Sequence, residues 1–266
     1  MAFRLVFLVF LFSLFFGCSP KSTEEFLARS VAIDGKEYRY RVLLPKNRDP
    51  NKKVGVMLYL HGSGSRGDDN ESQIGDIADF IKQDREKFQF IIVFPQCRED
   101  TFWAGEMTEQ AIAALDATVR EFNGDENRLY LAGFSMGGYG AWQTAITYPG
   151  KFAAVVPIAG GIVPNGPISE DQRAILSPAV RTAADAEDPY RAFAEAMGKT
   201  PVWIVHGDRD GIVPVDGARK IFAALKVAGN PNVKYTELEN VEHYSVGGAF
   251  GDPKFFEWLG RQKLTR

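Results

Sequence analysis

Five short apolar runs recur along the chain, and each ends at or just before glycine, proline or a polar residue. They read "VGVMLYL" at 54–60, "FQFIIVFP" at 88–95, "RLYLAG" at 128–133, "FAAVVPIAG" at 152–160 and "PVWIVHG" at 201–207. Strands that are apolar throughout are typical of parallel sheets with both faces covered, and helical patterns separate these runs. The chain is therefore predicted to adopt an α/β fold in which ligands bind beyond the carboxyl ends of the strands.

Helices are predicted between these strands. They fall around 77–85, from Thr108 onward, from just after Ser135 to about Tyr148, at 214–227 and at 252–262, and a sixth strand, "VKYTEL", occupies 233–238. Thr108 is predicted to cap its helix because a threonine hydroxyl can accept a hydrogen bond from a first-turn backbone N–H.

The stretch "LYLAGFSMGGYGAW" places one serine between two glycines at the end of a predicted strand. Gly133, Ser135 and Gly137 form the pattern G-x-S-x-G, in which a sharp turn between strand and helix lifts a nucleophilic serine above the sheet. Glycine and serine are also ordinary turn residues, so the pattern alone does not decide the chemistry. Its position between a predicted strand and a predicted helix favours the nucleophile.

A serine nucleophile needs a nearby base, and the chain has three histidines. His61 and His206 each precede glycine directly after an apolar strand, which predicts that both are held there by packing or by backbone hydrogen bonds. His243 lies instead in the polar loop "ENVEHYSVGG" after the last strand. It is the predicted base, and its late position agrees with the chain order Ser, Asp, His.

The segment "HGDRDGIVPVDG" offers three candidates for the acid that orients this histidine. Asp216 is interpreted as a cap or first-turn residue of the following helix. Asp208 follows a glycine and is interpreted as a turn residue, and it stays in reserve as the acid. Asp210 lies farther into the loop, from which a carboxylate can reach the final loop, and is the predicted acid.

Two backbone N–H groups are predicted to bind the oxyanion of the reaction. One belongs to Met136, directly after the nucleophile, and the other to Ser63 in the glycine-rich loop "HGSGS". That loop lacks the lysine-bearing spacing of a phosphate-binding loop. The candidate residues for the substrate pocket are Trp103, Phe134, Tyr139 and Tyr244.

Composition argues against several other functions. Lys and Arg number 31 against 34 Asp and Glu, and no basic cluster occurs, which disfavours nucleic acid as a partner. Three histidines and two cysteines argue against a dedicated metal site, and no cofactor is predicted. Cys97 is interpreted as a small buried apolar residue at a strand end.

The N-terminal sequence "MAFRLVFLVFLFSLFFGCSP" is predicted to be an export signal. Arg4 precedes an apolar stretch at 5–16, which is shorter than the roughly 20 residues that span a bilayer. Residues 1–17 are therefore assigned to the signal and 18–266 to a single domain. Cys18 is the candidate lipidation site. The protein is predicted to be either a lipoprotein, whose only membrane contact would be the lipid on Cys18, or a secreted or periplasmic enzyme.

The segments "LYLHGSGSRGDDN", "VFPQC", "LYLAGFSMGGYGAW", "GKTPVWIVHGDRDGIVP" and "VKYTELENVEH" occur in this order. With them, the chain from 18 to 266 resembles the α/β-hydrolase family, in particular its small secreted esterases. These are similar to dienelactone hydrolases, polyhydroxybutyrate depolymerases and the catalytic domains of prolyl oligopeptidases. The resemblance implies that Ser135 is the nucleophile, Asp210 the acid and His243 the base.

Two departures from that family pattern concern the pocket. Glu242 and Val246 stand where the family often has a glycine before the histidine and a tryptophan after it. The connection at 161–199 lies where hydrolases of this fold usually carry a lid, and it is interpreted as a lid or as inert surface. A short helix within it is predicted between Asp188-Pro189 and Gly198, because proline favours the first helical position and glycine the position past the end.

The predicted function is hydrolysis of carboxylic esters on small molecules or polymers by a serine hydrolase. Two alternatives remain: a serine peptidase of the prolyl oligopeptidase type and a non-catalytic binding protein with the same fold. A peptidase is disfavoured because the 249 residues after the signal are expected to form one hydrolase domain without a gating domain. The sequence leaves the oligomeric state open.

Overall fold

A computed structural model describes residues 25–163 and 168–265 of the chain. The described residues form one eight-stranded sheet. Its strands are β1 (Phe26–Ile33), β2 (Lys36–Leu43), β3 (Val54–Leu60), β4 (Ile91–Pro95), β5 (Gly124–Phe134), β6 (Ala154–Ile158), β7 (Val202–Gly207) and β8 (Val233–Leu238). The order across the sheet is β1-β2-β4-β3-β5-β6-β7-β8. β1 and β2 pair antiparallel with their neighbours, and all other pairs are parallel.

Helices connect the parallel strands and also follow the last of them. They are α1 (Gly75–Gln83), α2 (Glu106–Glu121), α3 (Met136–Thr147), α4 (Glu170–Ala174), α5 (Pro178–Ala184), α6 (Pro189–Met197), α7 (Asp216–Val227), α8 (Gly247–Phe250) and α9 (Pro253–Arg261), with short 3-10 turns at Ser63–Ser65, Ser72–Ile74 and Arg85–Lys87. No described helix is both long enough and apolar enough to cross a membrane.

The sheet is covered on both faces. One apolar cluster joins it to α2, α3, α6 and α7 through residues such as Leu115, Trp142 and Phe193. A second cluster joins the other face to α1, α8 and α9 through residues such as Ile81 and Phe255. Every residue of β4, β6 and β7 is buried, as expected for strands covered on both sides. The predicted α/β fold with a mostly parallel sheet is confirmed.

Two local features differ from the sequence-based prediction. The β1–β2 hairpin was not predicted because its strands alternate between buried and exposed residues and contain no apolar run. Its turn consists of Asp34 and Gly35, both with positive φ. The prediction that Thr108 caps a helix is wrong: α2 begins two residues earlier, after Gly105, whose positive φ of 49° turns the chain, and Thr108 is buried inside the helix.

The connection at 161–199 contributes to the helical layer. In its described part, α5 and α6 pack against α3, and α6 also packs against α7. The predicted short helix is present as α6, with the Asp188 carboxylate accepting the Arg191 N–H at its start and Gly198 at its end. The predicted signal at 1–17 and the candidate lipidation site Cys18 lie outside the described residues.

Candidate active site

Ser135 occupies the turn between β5 and α3, at the carboxyl edge of the sheet. Its φ of 53° and ψ of −116° are unusual for a residue with a side chain, and its N–H donates to the Ile158 carbonyl at 2.9 Å. The flanking glycines allow the turn. A Cβ on Gly133 would lie 2.1 Å from the Gly137 carbonyl oxygen, and a Cβ on Gly137 would lie 1.8 Å from that of Leu60. The G-x-S-x-G sequence is therefore required by close backbone contacts.

Ser135, His243 and Asp210 form a continuous hydrogen-bonded chain. The Ser135 Oγ lies 2.7 Å from His243 Nε2, and His243 Nδ1 lies 2.7 Å from Asp210 Oδ2. A neutral imidazole with its proton on Nδ1 satisfies both contacts, since it donates to the carboxylate and accepts from the serine hydroxyl. The structure thus brings together the three residues predicted from the sequence.

The Asp210 carboxylate is fully buried and is held from three further directions. Its Oδ1 accepts the N–H groups of Ile212 at 2.9 Å and Val213 at 2.8 Å. His206 Nε2 lies 3.2 Å from Oδ2 and 2.8 Å from the Val213 carbonyl oxygen. Burial raises the pKa of Asp210, but the hydrogen bonds from His243, Val213 and Ile212 outweigh it, so the pKa is lowered. Asp210 is therefore ionised at neutral pH.

Asp208, the reserve candidate, is oriented differently. Its N–H donates to the Leu238 carbonyl, and its buried Oδ1 has no hydrogen-bond partner among the described residues. Of the two carboxylates, Asp210 is the one in contact with His243. Asp216 lies in the first turn of α7, as predicted.

The predicted oxyanion donors belong to two segments next to the nucleophile. Met136 is the first residue of α3, where a backbone N–H has no intrahelical partner. In the loop after β3, the Gly62 N–H donates to Asp76 Oδ2 at 2.9 Å, which leaves the next N–H, that of Ser63, as the candidate donor. A Cβ on Gly62 would lie 3.6 Å from the Ser135 Cβ, so this loop passes directly beside the nucleophile.

A cavity of about 340 Å³ opens beside Ser135. Its walls are mostly apolar and include Phe102, Trp103, Tyr139, Ile168, Leu176 and Val213. Two of the predicted pocket residues, Trp103 and Tyr139, line it. The other two, Phe134 and Tyr244, do not. Their rings pack against each other, and Phe134 also packs against the His243 ring at 5.1 Å, so Phe134 supports the histidine.

The sequence pattern of the prolyl oligopeptidase family matches residues 100–258, more than half of the chain. The chain belongs to this family. The predictions of a relationship to prolyl oligopeptidase catalytic domains, of an α/β-hydrolase fold and of the serine hydrolase class are confirmed.

The chain is also similar to two curated proteins and to a solved esterase structure. It is 26% identical over 221 residues to an uncharacterized secreted protein of Arthroderma benhamiae, covering 76% of this chain and 22% of that protein. It is 26% identical over 183 residues to the bifunctional acetylxylan esterase/xylanase XynS20E of Neocallimastix patriciarum, covering 65% and 21%. The chain thus spans about a fifth of the length of these curated relatives. A solved thermostable esterase is 29% identical with a TM-score of 0.70, covering 90% of this chain and 64% of that one.

Cys97 is buried just after β4 and takes no part in the hydrogen-bonded chain of Ser135, His243 and Asp210. Burial raises the pKa of the Cys97 thiol to about 12, in agreement with the inert role predicted for it. Within residues 25–163 and 168–265, no group of three or more His, Cys, Asp or Glu side chains is arranged to hold a metal ion.

His61 fixes the loop that carries Ser63. The His61 ring donates from Nδ1 to the Gly62 carbonyl at 2.7 Å and accepts the Cys97 N–H at Nε2, 2.9 Å away. Trp103 Nε1 donates to the His61 carbonyl at 3.0 Å. The ring is fully buried, and this burial lowers its pKa to about 4. His61 therefore has the structural role predicted for it at the strand end. Its contacts also fix the geometry of the candidate oxyanion loop.

The free energy of unfolding is expected to fall as the pH drops from about 6.5 to about 4. In this window the unfolded chain protonates His61 while the buried ring stays neutral, so acid favours unfolding. The full window corresponds to about 3 kcal/mol from this residue, and the contribution is fully present above pH 6.5. Urea denaturation across this range measures the effect. The free energy of unfolding of a His61→Asn variant should depend less steeply on pH. The same pH dependence in the variant and the wild type would exclude His61 as its source.

Proposed function

We propose that the chain is a serine carboxylic-ester hydrolase that acts through Ser135, His243 and Asp210 by way of an acyl-enzyme. The observation that carries the proposal is the pair of 2.7 Å contacts that link the serine hydroxyl to the imidazole and the imidazole to a buried carboxylate. This arrangement activates a hydroxyl that is otherwise a weak nucleophile near neutral pH.

In the first half of the proposed reaction, the Ser135 Oγ attacks the ester carbonyl carbon while His243 Nε2 takes the hydroxyl proton. Asp210 holds the imidazole in the required tautomer and stabilises its positive charge. The N–H groups of Met136 and Ser63 bind the oxyanion of the tetrahedral intermediate. The intermediate collapses as His243 gives the proton to the alcohol oxygen, and the alcohol leaves.

In the second half, water replaces the alcohol. His243 Nε2 takes a proton from the water, whose oxygen attacks the acyl carbon of the Ser135 ester. The same two N–H groups bind the second oxyanion, and the intermediate collapses with the proton returned to Ser135 Oγ. The carboxylic acid is released and the hydroxyl is restored.

An ester as substrate is supported by the apolar cavity beside Ser135 and by the names of two proteins to which the chain is similar. The name of the family itself favours a second candidate, a serine peptidase. The two differ in leaving group: an amine must be protonated within a well-held geometry before it departs, whereas an alkoxide or phenoxide leaves more readily.

Short-chain p-nitrophenyl esters are expected to be hydrolysed with a kcat/KM at least about a hundredfold above that for proline-containing peptide p-nitroanilides. The esters release p-nitrophenol and the anilides release p-nitroaniline, and each product is followed by its own visible absorbance at the same pH. Each activity is to be compared with that of the Ser135→Ala variant, which corrects for spontaneous hydrolysis. A kcat/KM for the anilides equal to or above that for the esters would favour the serine peptidase over the esterase.

Action outside the cytoplasm is also part of the proposal. It is supported by the apolar stretch after Arg4 and by the name of one relative, a secreted protein. Fractionation of the producing cells tests it: lipidated Cys18 would keep the protein with membranes, and cleavage without lipid would release it. Recovery of the uncleaved chain in the cytoplasm would contradict export.

A further inference from the structure

Asp76, in the first turn of α1, is a half-buried carboxylate that forms no ion pair with any described residue. Its Oδ2 accepts the Gly62 N–H at 2.9 Å and lies 3.4 Å from the Tyr59 hydroxyl. Burial raises the pKa of this carboxyl, and the two hydrogen bonds oppose that rise only in part. The carboxylate is thus kept partly out of water without a cation, and the group closest to it belongs to the candidate oxyanion loop.

Two peptide groups meet at Gly62, and each is held by hydrogen bonds. The peptide before it contains the Gly62 N–H, which donates to Asp76, and the His61 carbonyl, which accepts from Trp103 Nε1 at 3.0 Å. The peptide after it contains the Gly62 carbonyl, which accepts from His61 Nδ1 at 2.7 Å, and the Ser63 N–H. Because a peptide group is planar, the hydrogen bond to this carbonyl also sets the direction of the Ser63 N–H.

Gly62 allows the loop to pass close to the nucleophile. A Cβ at this position would lie 3.2 Å from Phe134 Cδ1, which is tighter than an ordinary contact. Glycine has few backbone restrictions, so the peptide planes before and after it turn independently unless both are held. The hydrogen bonds from the two sides therefore supply the rigidity that a side chain at Gly62 would otherwise give, and Asp76 provides one of them.

Asp76 is also tied to the loop that carries the base. Its carbonyl accepts the Tyr244 hydroxyl at 2.5 Å, and Tyr244 directly follows His243. The Phe134 ring packs against the rings of both of these residues. The start of α1 is therefore fixed to the base loop, and from that position the carboxylate reaches the loop that carries Ser63.

We propose that Asp76 is a positioning residue for the oxyanion site: its carboxylate holds the Gly62 N–H so that the next N–H, that of Ser63, stays directed at the oxyanion. The inference rests on the proposed esterase function. Asp76 itself neither touches the substrate nor exchanges a proton. Its effect is expected mainly in the transition state, because the substrate oxygen becomes an oxyanion only as Ser135 attacks.

Asp76→Leu removes the acceptor and is expected to lower kcat/KM for p-nitrophenyl butyrate by about tenfold to hundredfold, somewhat less than the loss of a whole oxyanion donor. Two ketones of equal chain length isolate the cause. Propyl trifluoromethyl ketone forms a hemiketal with the Ser135 Oγ, whose proton passes to His243 while the carbonyl oxygen becomes an oxyanion. Propyl methyl ketone binds without this adduct. Asp76→Leu should weaken inhibition by the first ketone as much as it lowers kcat/KM, and should leave inhibition by the second unchanged.

Asp76→Asn separates the hydrogen bond from the charge. The asparagine oxygen still accepts the Gly62 N–H, and its NH₂ group replaces Oδ1, which accepts no hydrogen bond from a described residue. The rate and both inhibition constants should stay within about threefold of the wild type. Asp79→Leu is the matched control for Asp76→Leu, since Asp79 is exposed on the same helix and pairs with Lys82 at 3.5 Å. It should change neither the rate nor the inhibition.

Unchanged inhibition of folded Asp76→Leu by the trifluoromethyl ketone would overturn the inference. So would equal weakening of both ketones, which would show a disturbed cavity, or an Asp76→Asn variant as impaired as Asp76→Leu, which would assign the effect to charge at the helix start. If Asp76→Leu does not fold, Asp76→Ala removes the same acceptor with a smaller side chain and gives the same comparison. Failure of the proposed function looks different, because the wild-type enzyme would then hydrolyse no ester and would bind the two ketones equally.

Discussion

Ser135→Ala is expected to lower kcat for p-nitrophenyl esters by about 10⁴-fold to 10⁶-fold. The substitution removes the Oγ atom that lies 2.7 Å from His243 Nε2 and leaves the backbone turn, the glycines and the oxyanion donors in place. What remains is catalysis by binding and by the oxyanion site alone. Initial rates with the purified variant measure the loss, and thermal unfolding should give a midpoint close to that of the wild type.

Labelling with a fluorophosphonate probe provides an independent measurement of the same residue. The wild-type serine is expected to be labelled because its base is in hydrogen-bond contact, and both Ser135→Ala and His243→Ala should lose the label. Labelling of folded Ser135→Ala would mean that the activated serine is a different one.

The central strands could be predicted from the sequence because a strand that is buried on both faces consists almost entirely of apolar residues. β3 and β4 appear as apolar runs, and the turn after β5 carries the glycines that close backbone contacts demand. The boundaries of α6 could also be predicted, because Asp188 and Pro189 favour a helix start and Gly198 favours a helix end. In each case the determinants are local.

The β1–β2 hairpin escaped prediction because it lies at the sheet edge, where alternating strands bury only part of their residues. The start of α2 was misplaced for a related reason. Thr108 has the side chain of a capping residue, but the turn is made by Gly105 at positive φ and Thr108 packs into the core. Tertiary packing outweighed local preference there.

Within the site, the sequence indicated the residue types that the reaction needs, but it did not indicate which further residues hydrogen-bond to them. The contact of His206 with the Asp210 carboxylate depends on the path of the loop between them. The hydrogen bond from the Gly62 N–H to the Asp76 carboxylate depends on how α1 packs. Neither has a sequence motif. The same holds for Phe134 and Tyr244: their aromatic character suggested a pocket, whereas their positions place them outside it.

Asp210→Asn is expected to lower kcat by about 10⁴-fold while leaving KM nearly unchanged. The two backbone N–H groups of Ile212 and Val213 require an acceptor at the Oδ1 position, so the asparagine oxygen turns toward them. Its NH₂ group then faces His243 Nδ1 and can only donate. The imidazole must place its proton on Nε2, where it can no longer accept the proton of the Ser135 hydroxyl.

Asp208→Asn is the matched control, because it makes the same chemical change two residues away. The buried Oδ1 of Asp208 has no hydrogen-bond partner among the described residues, and its carboxylate is not in contact with His243. Its kcat is expected to stay within about tenfold of the wild type, because the contacts of His243 with Ser135 and Asp210 are unchanged. Rates for both variants are compared after urea denaturation has shown them folded. A larger loss in Asp208→Asn than in Asp210→Asn would move the acid to Asp208 and would mean that the 2.7 Å contact between His243 and Asp210 does not carry the reaction.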